Sequence, residues 1–456
     1  MIHRSVGLEH RQRRARIRRQ IHRAGAVDFF NVLTGPELLE ITESHLPEHR
    51  ERLYPPTVSV SMFIGQALHA DRSCQNAVNG WAMQRAGEGL SVHSVRTGAY
   101  CRARQRLPLQ MISALTRHSG RVLSTQAPGR WHWRGRVVKL VDGTCLPMPD
   151  TPANQACYPQ PRTQAAGVGF PLLRLVGLIC LSSGALLEAA VGAYAGKGQG
   201  ELSLLRSLLG ALSAGDVLLG DALYCDYFLI AALQAAGVEV LFERHAARRT
   251  DFRRGESLGQ GDYRVRWRRP QRPEWMTAEQ YAAMPEHLTV RELKCEGRVL
   301  VTTLLEPRKA SRGELAKLYE RRWNVELDLR NIKTTLGLQT LSCKTPAMVQ
   351  KELWVYLLAY NLIRLLMAQA AQEAGIPPRQ LSFKHTVQLW LQWMPRIHAA
   401  HRDVLFRLIA QLRVGNRPGR MEPRARKRRP KHYPWLKVPR AMAHQQLRIH
   451  GHLLEA

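Results

Sequence analysis

Two aspartates close short apolar runs. Asp142 follows Val137-Val138-Lys139-Leu140-Val141 and precedes Gly143, and Asp221 follows Val217-Leu218-Leu219-Gly220. Such runs, bounded by turn residues, read as strands. The carboxyl end of a strand is where a sheet presents ligand groups beyond its packed core. Either aspartate alone is equally a turn former, so neither is decisive singly. A third acid, Glu326, sits on a long helical stretch with Tyr319, Arg322 and Lys333, at offsets of 0, 3, 7 and 14. At about 100° per residue these four fall within roughly 60° of one another and share one face. Arg322 and Glu326, four apart, also fit an ordinary surface pair of about 0.2–0.5 kcal/mol. That reading does not account for a tyrosine, two cations and an acid on one stripe while Leu315, Leu318, Leu327 and Leu336 supply apolar surface. Three carboxylates from two strand ends and a helix suit a hard divalent cation such as Mg²⁺, which prefers oxygen ligands and keeps several waters. Two such ions about 3.5–4 Å apart promote in-line phosphodiester displacement, and Mn²⁺ accepts the same donors.

The composition narrows the partner. At 456 residues, 45% apolar and 23% charged, the chain has ample length for a core and is not globally disordered. Its 67 Lys and Arg against 36 Asp and Glu leave +31, a field that calls for a polyanion. The two most apolar stretches, 172–196 and 354–371, carry Arg174 and Glu188, and Asn361 and Arg364. Neither offers the ~18 clean apolar residues of a membrane span, so nucleic acid leads over membrane. The eight cysteines form no C-x-x-C pair, which argues against a zinc site or disulfide framework and for a reducing cytoplasm. The basic N-terminus lacks the apolar segment of a signal peptide. No G-x-x-x-x-G-K-[ST] is present, and Gly196-Lys197-Gly198-Gln199-Gly200 lacks its spacing, so no nucleotide cofactor is expected.

Three segments must position these groups. Residues 1–130 read as a helical, basic DNA-binding domain, opening on an Arg-rich run at 10–19. Residues 131–395 alternate strand and helix: strands at 137–143, 172–181, 186–194, 217–221 and 238–242, then an Arg- and Pro-rich insertion at 245–297. That insertion reads as a mostly β subdomain, after which a strand at 299–305, a helix from 311 to 336 and an apolar helix at 351–371 complete a mixed sheet flanked by helices. Residues 396–456 form a basic extension with a run at 424–429.

The motif Tyr319-x2-Arg322-x3-Glu326-x6-Lys333 matches the Y-R-E-K signature of bacterial insertion-sequence transposases of the fourth family. The stretches 141–154 and 215–224 resemble that family's two Asp blocks, and the resemblance spans roughly residues 50–370. It implies a DD(E) enzyme with a ribonuclease-H-like core, in which Asp142, Asp221 and Glu326 bind two Mg²⁺ ions. Tyr319, Arg322 and Lys333 would then hold DNA phosphates, with Arg244 and Arg330 as further family cations. Bidentate guanidinium and point-charge lysine contacts suit that task. The spacing of 105 from Asp221 to Glu326 (326 − 221) accommodates the insertion, as in that family. One feature departs: the strand after the insertion begins Arg298-Val299-Leu300, where some relatives carry a tryptophan that holds a flipped base. Trp267 and Trp275 lie elsewhere in the insertion and read as packing residues. The implied partners are double-stranded DNA, as terminal inverted repeats and target, and a second copy in a synaptic dimer. The implied location is the bacterial cytoplasm, at the nucleoid. The competing reading is a non-catalytic DNA-binding derivative, for which three clustered carboxylates, repelling phosphate without metal, have no use.

Overall fold

The computed structural model describes residues 41, 44–46, 53–91, 94–249, 251–393, 402–414 and 438–451. The basic runs at 10–19 and 424–429 lie outside the described residues. Among the described residues, the helices α1 (Pro56–Leu68), α2 (Cys74–Gly87), α3 (Gly98–Arg106) and α4 (Leu109–Thr125) precede the first strand. Nine strands follow: β1 (Val138–Pro147), β2 (Leu172–Cys180), β3 (Leu186–Ala193), β4 (Val217–Gly220), β5 (Glu239–Glu243), β6 (Glu256–Gly259), β7 (Asp262–Arg268), β8 (His287–Cys295) and β9 (Arg298–Thr302). The helices that matter for the site are α5 (Glu201–Ser207), α6 (Tyr227–Ala235), α7 (Arg312–Glu320), α8 (Asn324–Arg330) and α9 (Pro346–Glu373).

All nine strands form one sheet in the order β3-β2-β1-β4-β5-β9-β8-β7-β6. β1 pairs antiparallel with β2 and parallel with β4, and β4 pairs parallel with β5. An antiparallel β1–β2–β3 meander flanked by two parallel strands on the far side of β1 is the ribonuclease-H-like arrangement. The insertion is mostly β, as expected, and its strands extend the main sheet. β9 pairs antiparallel with β5, and β8, β7 and β6 continue the sheet outward from it. β7 alternates Tyr263, Val265 and Trp267 with Arg264, Arg266 and Arg268, the pattern of a strand with one face on a core.

Strand alternation divides the interior into two layers. Leu140, Leu219 and Leu241 face the layer that contains α4 and α9, whereas Val141, Leu218 and Val240 face the layer of α5 and α6. α4 was grouped by sequence with the N-terminal helices, yet it packs on α9 and β3 and so belongs to the sheet's own core. α9 is the one helix among the described residues long and apolar enough to cross a membrane, and 94% of its apolar window is buried in the fold. Asn361 in its middle is fully buried and joins three elements: its Nδ2 donates to Thr116 O (3.0 Å) and Leu186 O (2.8 Å), and its Oδ1 accepts from Leu186 N (2.8 Å). Asn361→Leu keeps the volume but leaves Leu186 N–H and C=O without their amide partner, at about 1–3 kcal/mol for each buried group left unsatisfied. The expected readout is a lower urea midpoint at unchanged m-value; an unshifted midpoint would show that water replaces the amide.

The stretch expected as one helix from 311 to 336 is α7, a tight 3₁₀ turn at Arg321–Trp323, α8, and a wide π turn at Asn331–Thr335. A capping box starts it: Ser311 Oγ accepts from Glu314 N (3.3 Å) and Glu314 Oε2 from Ser311 N (2.9 Å). The backbone and hydroxyl of Ser311, with Arg134 at 2.7 Å, hold the Glu314 carboxyl down to about 2. A depressed carboxylate stabilises the fold above its ordinary value, and that contribution fades as pH falls toward 2. Ser311→Ala is expected to cost about 0.5–2 kcal/mol and to return the Glu314 titration, followed by NMR, toward the ordinary value. The far end is tied to the N-terminal helices. Arg72 Nε donates to Leu336 O (2.8 Å), and its guanidinium fills the space a side chain on Gly337 (φ +82°) would need.

Candidate active site

Register places the two aspartates. β1 and β4 pair Val138↔Val217 and Leu140↔Leu219, an offset of 79, and 221 − 142 is also 79. Carried on by one residue past β4, this parallel register sets Asp142 and Asp221 level on strands about 4.7–4.9 Å apart. Each lies two residues beyond a leucine that faces α9, so alternation points both carboxylates to the face that α8 covers. The backbone of Asp221 remains extended (φ −79°, ψ −172°), and its Oδ1 accepts from Leu223 N at 2.9 Å.

Asp142 is half-buried and accepts from Gly143 N (2.8 Å). Burial pushes its carboxyl up to about 6; the Gly143 N–H and Arg322 oppose that rise, and Asp221 and Glu201 add to it. Its charge is therefore coupled to both Asp221 and the helix cation. A cleft of about 660 Å³ opens beside it, lined by Asp142, Gly143, Glu326, Leu329, Arg330, Lys333, Thr334 and Gln339. Asp142, Glu326, Arg330 and Lys333 thus meet in one place. Glu326 accepts from Arg322 Nη2 at 3.1 Å. The π turn sets Lys333 over β1, where its Nζ donates to Thr144 Oγ1 (3.0 Å), two residues beyond Asp142. π turns recur at functional sites because they re-aim side chains without breaking the helix.

Asp221 and three of the expected DNA-binding residues, Tyr319, Arg322 and Arg244, do not line this cleft. Tyr319 is buried and does not line the cleft; its hydroxyl donates to Glu243 Oε2 (3.4 Å) at the end of β5, and burial pushes its phenol pKa up. Arg244, directly after β5, pairs with Glu292 at 3.8 Å on the insertion side. Of the two tryptophans, Trp267 is buried, donates to Glu292 Oε1 (2.8 Å) and lies under Arg248 (3.8 Å). Trp275 is about half exposed, with the Arg206 guanidinium 3.5 Å over its ring.

Sequence reasoning missed Glu201. It starts α5, accepts from Tyr224 Oη at 3.1 Å, and its carboxylate occupies the space a side chain on Gly143 would need. A glycine after Asp142 is therefore a steric requirement of the close approach of Glu201, not a turn residue, since Gly143 lies within β1. Among the described residues no three His, Cys, Asp or Glu side chains stand together as a ready ligand set, since Glu326 is turned to Arg322.

The sheet order and the acids at its centre define the class, and comparison agrees. Residues 133–362, half of the chain, match the family model described as the transposase DDE domain, and the chain belongs to that family. It is a DNA transposase. It is 28% identical over 416 residues to the transposase InsG for insertion sequence element IS4 of Escherichia coli (strain K12), a match covering 88% of this chain and 91% of that one. The Y-R-E-K resemblance and this match point to the same insertion-sequence family. Among solved structures, a piggyBac transposase synaptic complex with hairpin DNA aligns over 87% of this chain and 86% of that chain, at 11% identity and a TM-score of 0.42.

Proposed function

We propose that the chain cuts the ends of its own insertion sequence and joins them to target DNA at a metal-dependent site formed by Asp142, Asp221 and Glu326. The observation that carries this reading is the parallel pairing of β1 with β4, which, continued by two residues, brings Asp142 on β1 level with Asp221 just past β4, on the face where Val325 and Leu329 of the helix bearing the third acid pack. Oxygen-only donors of this kind fit Mg²⁺, or Mn²⁺ in its place. The burial that raises the Asp142 carboxyl to about 6 is the environment a cation relieves. Bound there, two such ions would lower the pKa of the attacking hydroxyl and neutralise the leaving oxygen.

The chain's own residues do the rest. Were Glu326 to hold a cation, its Arg322 partner would be released and its guanidinium left to pair with a DNA phosphate. Lys333, anchored on Thr144, offers a point charge at the cleft floor, and Arg330 a second cation at its rim. First, water attacks the phosphodiester at the element end and the 3′ oxygen leaves as a hydroxyl. That 3′-OH then attacks a target phosphodiester, displacing a second 3′ oxygen. The N-terminal helices, with their excess of arginine, bind the terminal inverted repeats. A dimer holds the two ends together, in the bacterial cytoplasm.

The test is a labelled duplex carrying the element's own ends, incubated with Mg²⁺ or with EDTA. Cutting at the boundary in Mg²⁺ alone supports the proposal. Tight binding without cutting in Mg²⁺ or Mn²⁺ would favour the non-catalytic DNA-binding derivative instead.

A further inference from the structure

Two residues from Glu326, on the opposite side of its helix, a carboxylate is wholly buried between two arginines. Asp328 Oδ1 accepts from Arg364 Nη2 and from Arg379 Nη1 (3.1 Å), and its Oδ2 from Arg379 Nη2 (2.8 Å). Asp328 is fully buried and the Arg364 side chain is 4% exposed. The arginines run onward to the sheet. Arg379 donates to Leu181 O and to Cys180 O (3.1 Å), and Arg364 Nε donates to Tyr360 Oη (2.9 Å), which in turn donates to Gly184 O (2.6 Å). All three carbonyls belong to the end of β2 and the turn into β3. β2 is the strand paired with β1, where Asp142 stands opposite Gly177.

We propose that Asp328, clamped by Arg364 and Arg379, is a positioning residue that fixes the rotation of α8 and so aims Glu326 at Asp142. The inference rests on reading Glu326 as a metal-binding acid. Residues two apart on a helix point about 200° from each other, so pinning Asp328 in the core turns Glu326 to the cleft. The pin is needed because α8 has only seven residues and is bounded by a 3₁₀ turn and a π turn, each of which changes the rotation per residue. A buried ion triad is poor value for stability alone, since well-packed apolar replacements of similar volume are often neutral or stabilising. What apolar packing lacks is a directional link from α8 to the strand pair that carries Asp142.

The test separates the two roles. The triple variant Asp328→Leu/Arg364→Met/Arg379→Leu removes the ionic link while filling the space. It is expected to melt near the wild type and bind end DNA normally. Its Mn²⁺ affinity, measured by calorimetry on the protein without DNA, is expected to fall about 10–100-fold, the usual cost of losing an outer-shell partner. Arg379→Gln, at a residue 13% exposed, retains the Arg364–Asp328 pair and serves if the triple variant does not fold. It is expected to give a smaller loss of the same kind. Glu326→Gln is the control. If it weakens Mn²⁺ binding while both clamp variants bind as the wild type does, the clamp's role is overturned and the metal reading stands. If Mn²⁺ binding is indifferent to Glu326→Gln, the metal reading falls, and the clamp's role with it.

Discussion

Glu326→Gln is expected to bind element ends as the wild type does and to cut them more slowly by well over the roughly 10–100-fold that loss of an outer-shell partner costs. Gln keeps the size of the side chain and a hydrogen bond to Arg322, so the local fold survives. It removes the charge that would bind a cation beside Asp142 and Asp221. DNA affinity should hold or rise, because a negative charge leaves a cleft that faces phosphate. A gel shift and a cleavage time course on one labelled duplex, at a single stated salt concentration, read both quantities. Cleavage near the wild-type rate would sink the triad assignment, whatever its geometry.

The largest stability effect is expected at Arg291→Met. Arg291 is fully buried in β8; its Nε donates to Asp262 Oδ1 (2.7 Å), its Nη2 to Asp262 Oδ2, and its Nη1 to Ala310 O (2.7 Å) and Leu304 O (3.2 Å). It therefore joins the insertion strands to the segment that enters α7. Met fills the volume and leaves Asp262 buried without its partner, a situation that costs about 3–5 kcal/mol. A fall in melting temperature with loss of cleavage at unchanged sequence preference is the expected result. Asp262→Asn with Arg291→Met should recover part of it, because the uncompensated charge is then gone. No change in the single variant would mean that the insertion is coupled only weakly to the main sheet.

Local pattern made much of this molecule readable. Asp221 does follow the last residue of its strand, but Asp142, expected at a strand end, lies mid-strand, because β1 continues to Pro147 along β2. Lys333 and Glu326 stood out because helical spacing puts them on one face. Tyr319 shares that spacing, yet its neighbours bury it against Glu243, a contact 76 residues away in the chain that periodicity cannot report. The insertion was legible as mostly β because its Arg- and Pro-rich composition breaks the strand–helix alternation; that its strands extend the main sheet depends on hydrogen bonding across β5 and β9. Asp328 gave no signal at all. An aspartate between Leu327 and Leu329 reads as a solvated position until Arg364 and Arg379, 36 and 51 residues on, are brought to it.

Residue order alone makes the available chemistry legible: three acids, a set of cations, a strongly basic chain and the succession of strands and helices. These follow from short-range rules, in which each residue's type and its neighbours within a few positions decide the outcome. Tertiary structure alone decided which acids stand level, which cation each one meets, and which tyrosine is buried. Those outcomes depend on strand register and on contacts between distant segments, where a shift of one residue would turn Asp142 to the opposite face of the sheet.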